Sequence, residues 1–476
     1  MLELTVFPAF RLAALVRSKQ LSPVEVVKAH LHRIERLNPG LNAFVTVDAE
    51  RALEAARIAE QAIRRNPDTA SLHGVPVTIK SSIDVAGLRS ETGTRLRGGR
   101  LATADAPLVA RLKKAGAIVL GNTNAPELLM SYETDNLLFG RTNNPWDLHR
   151  TAGGSSGGES AAIAAGLSAG GVGSDGGGSI RVPAHFTGIC GLKPTLGRVP
   201  STGHFPSSVG PFALIGVVGP MARTVADVTL LFEAMAGPDD GDTSSAPVSA
   251  RHPDLLPLKS TIIGYFEDDA RTPVTPEIRA AVRAAVQALE RAGFKTRPFR
   301  PSGLDRARDL WWVMFGLAGG YILRPMVAGH EDEISPILRE FLGFVAADPP
   351  LTVARLMDAW MGRDELRLRL FAEMRDVPVF VCPACSIPAF RHGEREWAID
   401  GATVRYLREP DVMTYTQWFN LLGNPAMVVP AGRSAEGLPI GVQVVGRPYE
   451  EELVLAIAAE IERELGGYQP PPMATL

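Results

Sequence analysis

Eleven of the thirty residues from 151 to 180 are glycine. Glycine loses more backbone freedom on folding than any other residue, so a folded core avoids such density unless the backbone must approach something closely. Successive N–H groups in glycine-rich turns form concavities for negative charge, and a developing oxyanion is one such charge. Two serines, Ser155 and Ser179, each sit in a glycine loop of this segment. Upstream, the run GVPVTIK at 74–80 puts Lys80 at the end of an apolar strand. A lysine there is expected to be partly buried, and burial disfavours its charged form. A Ser–Lys pair activates a hydroxyl without histidine.

Other patterns overlap the segment. Gly171, Gly173 and Gly176 match GxGxxG, but Pro183 stands where the required helix would run, which speaks against dinucleotide binding. Gly154, Ser156 and Gly158 match GxSxG, the esterase elbow, which needs a histidine and an acid later in the chain. His185, His204, His252, His330 and His392 are available, none with a distinguishing context. Cys382-Pro383-Ala384-Cys385 is a CxxC with no second ligand pair nearby, so neither metal nor cofactor is expected.

Around this segment, short apolar runs at 75–79, 117–120, 262–265, 377–381, 426–429 and 441–445 read as strands. Helices are expected from the Ser22/Glu25 capping box to about 37, and at 52–65, 107–115, 160–165, 224–236 and 276–292. Such alternation predicts an α/β protein with a parallel or mixed sheet. Residues 237–254 read as a surface loop, and 303–375 as helical. There, Trp311, Trp312, Met314 and Phe315 either wall a pocket or pack as core. Pro8 and Arg11 break the first apolar stretch, and 199–222 is interrupted by Gly and Pro, so no signal peptide and no membrane span are expected. A net charge of −3 gives no basic surface for nucleic acid. Three cysteines in 476 residues exclude a disulfide framework and make the cytoplasm the expected compartment.

Taken together, GGSSGGESAAIAAGLSAGGVGSDGGGSIRVPAHFTGICGLKPT at 153–195, GVPVTIK, ETDNLLFGRTNNPWD at 133–147, GNPAMVVPAG at 423–432 and GLPIGVQVVGRPYEEE at 437–452 resemble the amidase signature family. The likeness runs over roughly residues 5–465 and is nearer the fatty-acid-amide-hydrolase-like, stand-alone branch, on Glu159 and NNPWD. The resemblance implies one α/β/α domain over 1–476 around a large mixed sheet, with a signature core at about 70–225 and a helical substrate region at 303–375. It implies a Ser–cisSer–Lys triad of Ser179 as nucleophile, Ser155 after a cis bond from Gly154, and Lys80 as base. It further implies an oxyanion hole at Gly176, Gly177 and Gly178, and an acyl site at Leu129, Met130 and Ser131. Ser156, Asp175 and Arg181 are expected to support the loop.

The chain departs from the family at Ser81, often acidic there, and at Gly176, usually larger, which predicts more room for bulky acyl or carbamoyl groups. The implied activity is hydrolysis of small-molecule carboxamides, with esters, anilides and carbamates (urethanes) as further substrates. An amidotransferase A-type subunit feeding ammonia to a partner and a His-dependent serine esterase are the alternatives. A homo-oligomer is left open.

Overall fold

The computed structural model describes residues 2–65, 70–207, 209–248 and 258–475. Residues 249–254 of the expected surface loop, with His252, lie outside the described residues. Eleven strands form one sheet: β1 Phe44–Val47, β2 Pro76–Lys80, β3 Ile118–Thr123, β4 Gly170–Asp175, β5 Cys190–Lys193, β6 Val217–Ala222, β7 Ile262–Tyr265, β8 Lys295–Pro298, β9 Val379–Pro383, β10 Ala426–Arg433 and β11 Pro439–Gly446. Their order is β1-β3-β2-β4-β6-β5-β10-β11-β9-β7-β8. The pairs β3-β2, β2-β4, β9-β7 and β7-β8 are parallel, and the other neighbours are antiparallel. Helices flank this mixed sheet, among them Gly157–Ala164, Arg181–Thr187, Val225–Met235, Pro276–Arg291 and Glu451–Leu465, giving the α/β/α arrangement.

Local sequence explains most elements. The helix Pro23–Leu41 starts on the expected capping box, with Ser22 Oγ accepting from Val24 N at 3.0 Å and Glu25 Oε2 accepting from Ser22 N at 3.1 Å. It runs past Pro39 and stops at Asn42, which adopts left-handed φ (53°). Three central strands, β4, β5 and β6, carry no β-branched alternation and are absent from the strands expected above. Their glycines are required by what packs on them. A Cβ on Gly171 would run into the Glu159 carboxylate, and one on Gly173 would lie 2.8 Å from Ser156 Oγ and 2.9 Å from Met221 Sδ. The helix carrying Glu159 is fully buried and sits directly on bare sheet backbone.

The topology sets the site. Parallel neighbours β2 and β4 end at the same edge, so Lys80, the last residue of β2, stands beside the turn that follows Asp175 of β4. Open α/β sheets place their ligand sites beyond such carboxyl ends. The helical region is Leu304–Trp312, a π-helical turn Val313–Leu317, Ala318–Val327, Pro336–Ala347 and Val353–Glu373. Leu304–Val327 is long and apolar enough to cross a membrane by length and composition, but it is mostly buried inside the protein.

Candidate active site

Lys80 is fully buried, and its Nζ meets three serine hydroxyls: Ser155 Oγ at 2.7 Å, Ser156 Oγ at 2.9 Å and Ser174 Oγ at 3.0 Å. Burial is the largest influence on it and pushes its pKa down to about 7, against the pull of the Asp175 and Glu159 carboxyls. A neutral amine has two hydrogens and one lone pair. It can donate to Ser156 and Ser174 and accept from Ser155, the nearest. Ser174 had no signal in the sequence beyond lying in the glycine segment.

The peptide Gly154–Ser155 is cis. Gly154 lies so close to the neighbouring chain that a Cβ there would sit 2.6 Å from Ser131 O and 2.8 Å from Glu133 N. Ser156 N donates to Ser179 O at 3.1 Å, which ties the two serine loops together. Ser155 and Ser179 line one cavity, and their hydroxyls are not hydrogen-bonded to each other. Ser156, the nucleophile of the GxSxG reading, is fully buried, bonded to Lys80, and outside the lining of that cavity.

The turn 176–179 is pinned through its carbonyls. Gly176 O accepts from Trp311 Nε1 at 2.9 Å. Gly177 O accepts from Tyr132 Oη and Thr416 Oγ1, both at 2.8 Å, and Gly178 O accepts from Val182 N at 2.7 Å. In a trans peptide the C=O and the next N–H point opposite ways, so holding the carbonyls aims the amides. Gly178 N–H, aimed this way, donates to Asp175 Oδ1 at 2.7 Å. Gly178, expected with Gly176 and Gly177 to form an oxyanion hole, thus has its hydrogen engaged by Asp175. The N–H groups of Gly176, Gly177 and Ser179 have no partner among the described residues.

Asp175 and Arg181 are the clamp behind the turn. Arg181 Nε and Nη2 each lie 3.0 Å from an Asp175 oxygen, and Ile180 N donates to the same carboxylate at 3.1 Å. Arg181 also reaches Thr416 O at 2.9 Å, Gln443 Oε1 at 3.1 Å and Asn420 Oδ1. Burial works to raise the Asp175 pKa, but Arg181 and the amides outweigh it and hold the carboxyl well below the usual range. Glu159 is the opposite case. Burial dominates the hydroxyls of Thr78 and Thr123 and the charge of Lys80, and lifts it to about 8.

Two lobes meet at Ser179. The first is lined by Ser155, His204, Pro206, Phe212 and Val217, and the second by Ser131, Tyr132, Trp311, Phe341 and Leu407. Leu129, Met130 and Phe315 border both. Of the four residues in the expected aromatic group, Trp311 and Phe315 reach the cavity, while Trp312 and Met314 do not line it. Trp311 and Phe315 stack at 4.7 Å between centroids. The room expected beside Gly176 is taken: a Cβ there would lie 2.8 Å from the Phe315 ring, and one on Gly177 2.6 Å from Trp311. Ser131 lines the second lobe with its hydroxyl bonded to Tyr406 Oη at 2.8 Å. Cys382 and Cys385 are buried free thiols, and burial pushes Cys385 up to about 12.

A family model for amidases matches residues 25–455. The chain belongs to the amidase family. It is 36% identical over 466 residues to an acylamidase of Rhodococcus erythropolis, covering 95% of this chain and 94% of that one. It is 33% identical over 500 residues to fatty-acid amide hydrolase 2 of Homo sapiens, covering 98% and 91%. The solved structure of a bacterial aryl acylamidase of the amidase signature enzymes superposes with a TM-score of 0.85 at 28% identity, over 96% of each chain. This amidase is an amidohydrolase acting on amide C–N bonds.

Proposed function

We propose that this amidase works alone, through an acyl-enzyme on Ser179, with Ser155 and Lys80 as the proton relay. The observation that carries the proposal is a buried lysine of lowered pKa lying 2.7 Å from Ser155, which lines one cavity with Ser179. Ser179 and Ser155 line the same cavity, and catalytic contacts commonly tighten only once substrate is bound. The Ser179 proton passes to Ser155 Oγ as the Ser155 proton passes to Lys80 Nζ, and Ser179 Oγ attacks the amide carbonyl. The N–H groups of Gly176, Gly177 and Ser179 receive the oxyanion. Ser155 then protonates the departing nitrogen and is recharged from the Lys80 ammonium. Water repeats the sequence on the ester of Ser179, releasing a carboxylic acid and restoring the three residues.

Ser155 lines only the first lobe, so the leaving amine occupies that lobe and the acyl group the second, between Tyr132, Trp311, Phe341 and Leu407. Those walls favour apolar or aryl acyl groups. Anilides, esters and carbamates enter the same scheme, the last through a carbamoyl-serine. The test is turnover of a matched aryl amide, aryl ester and aryl carbamate by the purified chain, beside Ser179→Ala and Lys80→Ala. Amide cleavage abolished by Ser179→Ala and severely reduced by Lys80→Ala is expected. Activity that needs an added partner protein would favour the amidotransferase reading, and activity that survives Lys80→Ala would defeat the relay.

A further inference from the structure

Two distant parts of the chain face each other across the second lobe. The segment 129–132 supplies Leu129, Met130, Ser131 and Tyr132, and the helix Pro336–Ala347 supplies Phe341. The Phe341 ring stands edge-on to Trp312 and Phe315, with centroids 6.0 and 6.3 Å away. Two buried carboxylates, Glu127 and Glu133, flank the segment, and both are bonded toward that one helix. Glu127 Oε2 accepts from Ser335 N at 2.6 Å, at the helix start, where Leu338 N donates to Ser335 Oγ at 3.3 Å. Glu133 Oε1 accepts from Arg395 Nη1 at 2.6 Å, and Arg395 Nε donates to Glu340 Oε1 at 3.0 Å. Glu340 directly precedes Phe341. The Arg395 guanidinium also lies 4.6 Å from the centre of the Tyr406 ring. That tyrosine's hydroxyl accepts from Tyr132 N at 2.8 Å.

The backbone between the two carboxylates is strained. Leu128 and Leu129 hold left-handed φ of 50° and 69°, a region that crowds a side chain against its own backbone. Leu128 N donates to Thr92 O at 3.0 Å and keeps the turn in place. Such conformations persist only where the surroundings over-determine them, and they gather at ligand clamps. Hydrogen bonds to an ionised group are the strong kind. The helix is thus held at its start by Glu127 and beside Phe341 by the Glu133–Arg395–Glu340 chain. Neither Glu127 nor Arg395 lines the cavity, so each acts on it through the helix.

We infer, on the reading that the acyl group occupies the second lobe, that Glu127 and Arg395 are positioning residues that fix Phe341 across that lobe and so limit the bulk of the acyl group this enzyme accepts. The experiment measures kcat and KM for two anilides of one amine, the benzoyl and the bulkier 2-naphthoyl. Wild type is compared with Phe341→Ala, Glu127→Ala, Glu127→Gln and Arg395→Met. Phe341→Ala removes the wall and should raise the naphthoyl-to-benzoyl ratio of kcat/KM about tenfold. Glu127→Ala and Arg395→Met each release one hold on the helix. Each should raise the ratio about three- to fivefold, with the benzoyl KM rising more than its kcat falls. Glu127→Gln still presents a carbonyl oxygen to Ser335 N and should keep the ratio close to wild type. Arg395 is 29% exposed, so Arg395→Met carries the test if Glu127→Ala does not fold. A ratio that rises in Phe341→Ala but in neither Glu127→Ala nor Arg395→Met overturns the inference alone. Equal losses on both anilides in those two variants, the mark of a merely structural role, also overturn it. An unchanged ratio in Phe341→Ala overturns it together with the placing of the acyl group in this lobe. Ser179→Ala and Lys80→Ala judge the relay separately.

Discussion

The pH dependence of amide hydrolysis follows from the surroundings of Lys80. The relay needs a neutral amine, so activity must rise as pH climbs through the Lys80 pKa. An ordinary lysine at 10.5 would be neutral in only about one molecule in 3,000 at pH 7. With the pKa brought to about 7, roughly half the molecules carry the base at neutral pH. The neutral fraction then runs from about 10% at pH 6 to about 90% at pH 8, so kcat/KM on an uncharged amide should rise close to tenfold across that interval. The assay is kcat/KM against pH at constant ionic strength, for wild type and Lys80→Ala. Glu159, lifted to about 8, is largely neutral where Lys80 titrates, so Glu159→Gln should leave the ascending limb close to its wild-type position. Two interacting buried groups titrate as a pair, so the limb reports their joint behaviour. A flat profile between pH 6 and 8 in wild type, or the same limb surviving in Lys80→Ala, would refute the reasoning.

Further outcomes follow from the same geometry. Ser155→Ala breaks the relay between Lys80 and Ser179, and should lower kcat by about 10²–10⁴ with little change in KM. Trp311→Phe keeps the stacking ring but loses the 2.9 Å bond to Gly176 O, and should cost roughly 5–10-fold in kcat by loosening the oxyanion turn. Gly177→Ala puts a methyl group 2.6 Å from Trp311, and both turnover and the thermal unfolding midpoint should drop. Arg181→Met leaves the fully buried Asp175 carboxylate without its counter-charge, and should destabilise the fold by about 3–5 kcal/mol in denaturant titrations. The folded pKa of Asp175 lies below its ordinary 3.8, so its contribution is present above that pH and is lost as pH falls below it. Acid unfolding of wild type should show that loss.

The proposed relay residues were legible because their chemistry is local. A lysine closing an apolar strand and two serines in glycine loops stand out in any reading of the chain, and the family resemblance assigned their order. The sheet around them was harder to see. Strand β4 reads GGVGSD, with Val172 as its one side chain that marks a strand, because Glu159 and Ser156 occupy the space where side chains on Gly171 and Gly173 would be. The glycine turn 176–178 stood out in the sequence, but which of its N–H groups are free could not be counted there. The commitment of Gly178 N–H to Asp175 depends on where the carbonyl of Gly177 is held, and one of its holders, Thr416, comes from a helix 239 residues later. Gly176 had suggested space, whereas Phe315 of the π-helical turn fills it.

The central claim is that Ser179 carries the acyl group and that Lys80 makes it nucleophilic. Its most direct test is to trap the purified protein with a slowly hydrolysed aryl carbamate, weigh it intact, and map the modified peptide. The account predicts one carbamoyl group per chain on Ser179, none in Ser179→Ala, and much slower labelling in Lys80→Ala. A carbamoyl group on Ser155, Ser156 or a histidine of wild type, or labelling of Ser179 at an undiminished rate in Lys80→Ala, would contradict it.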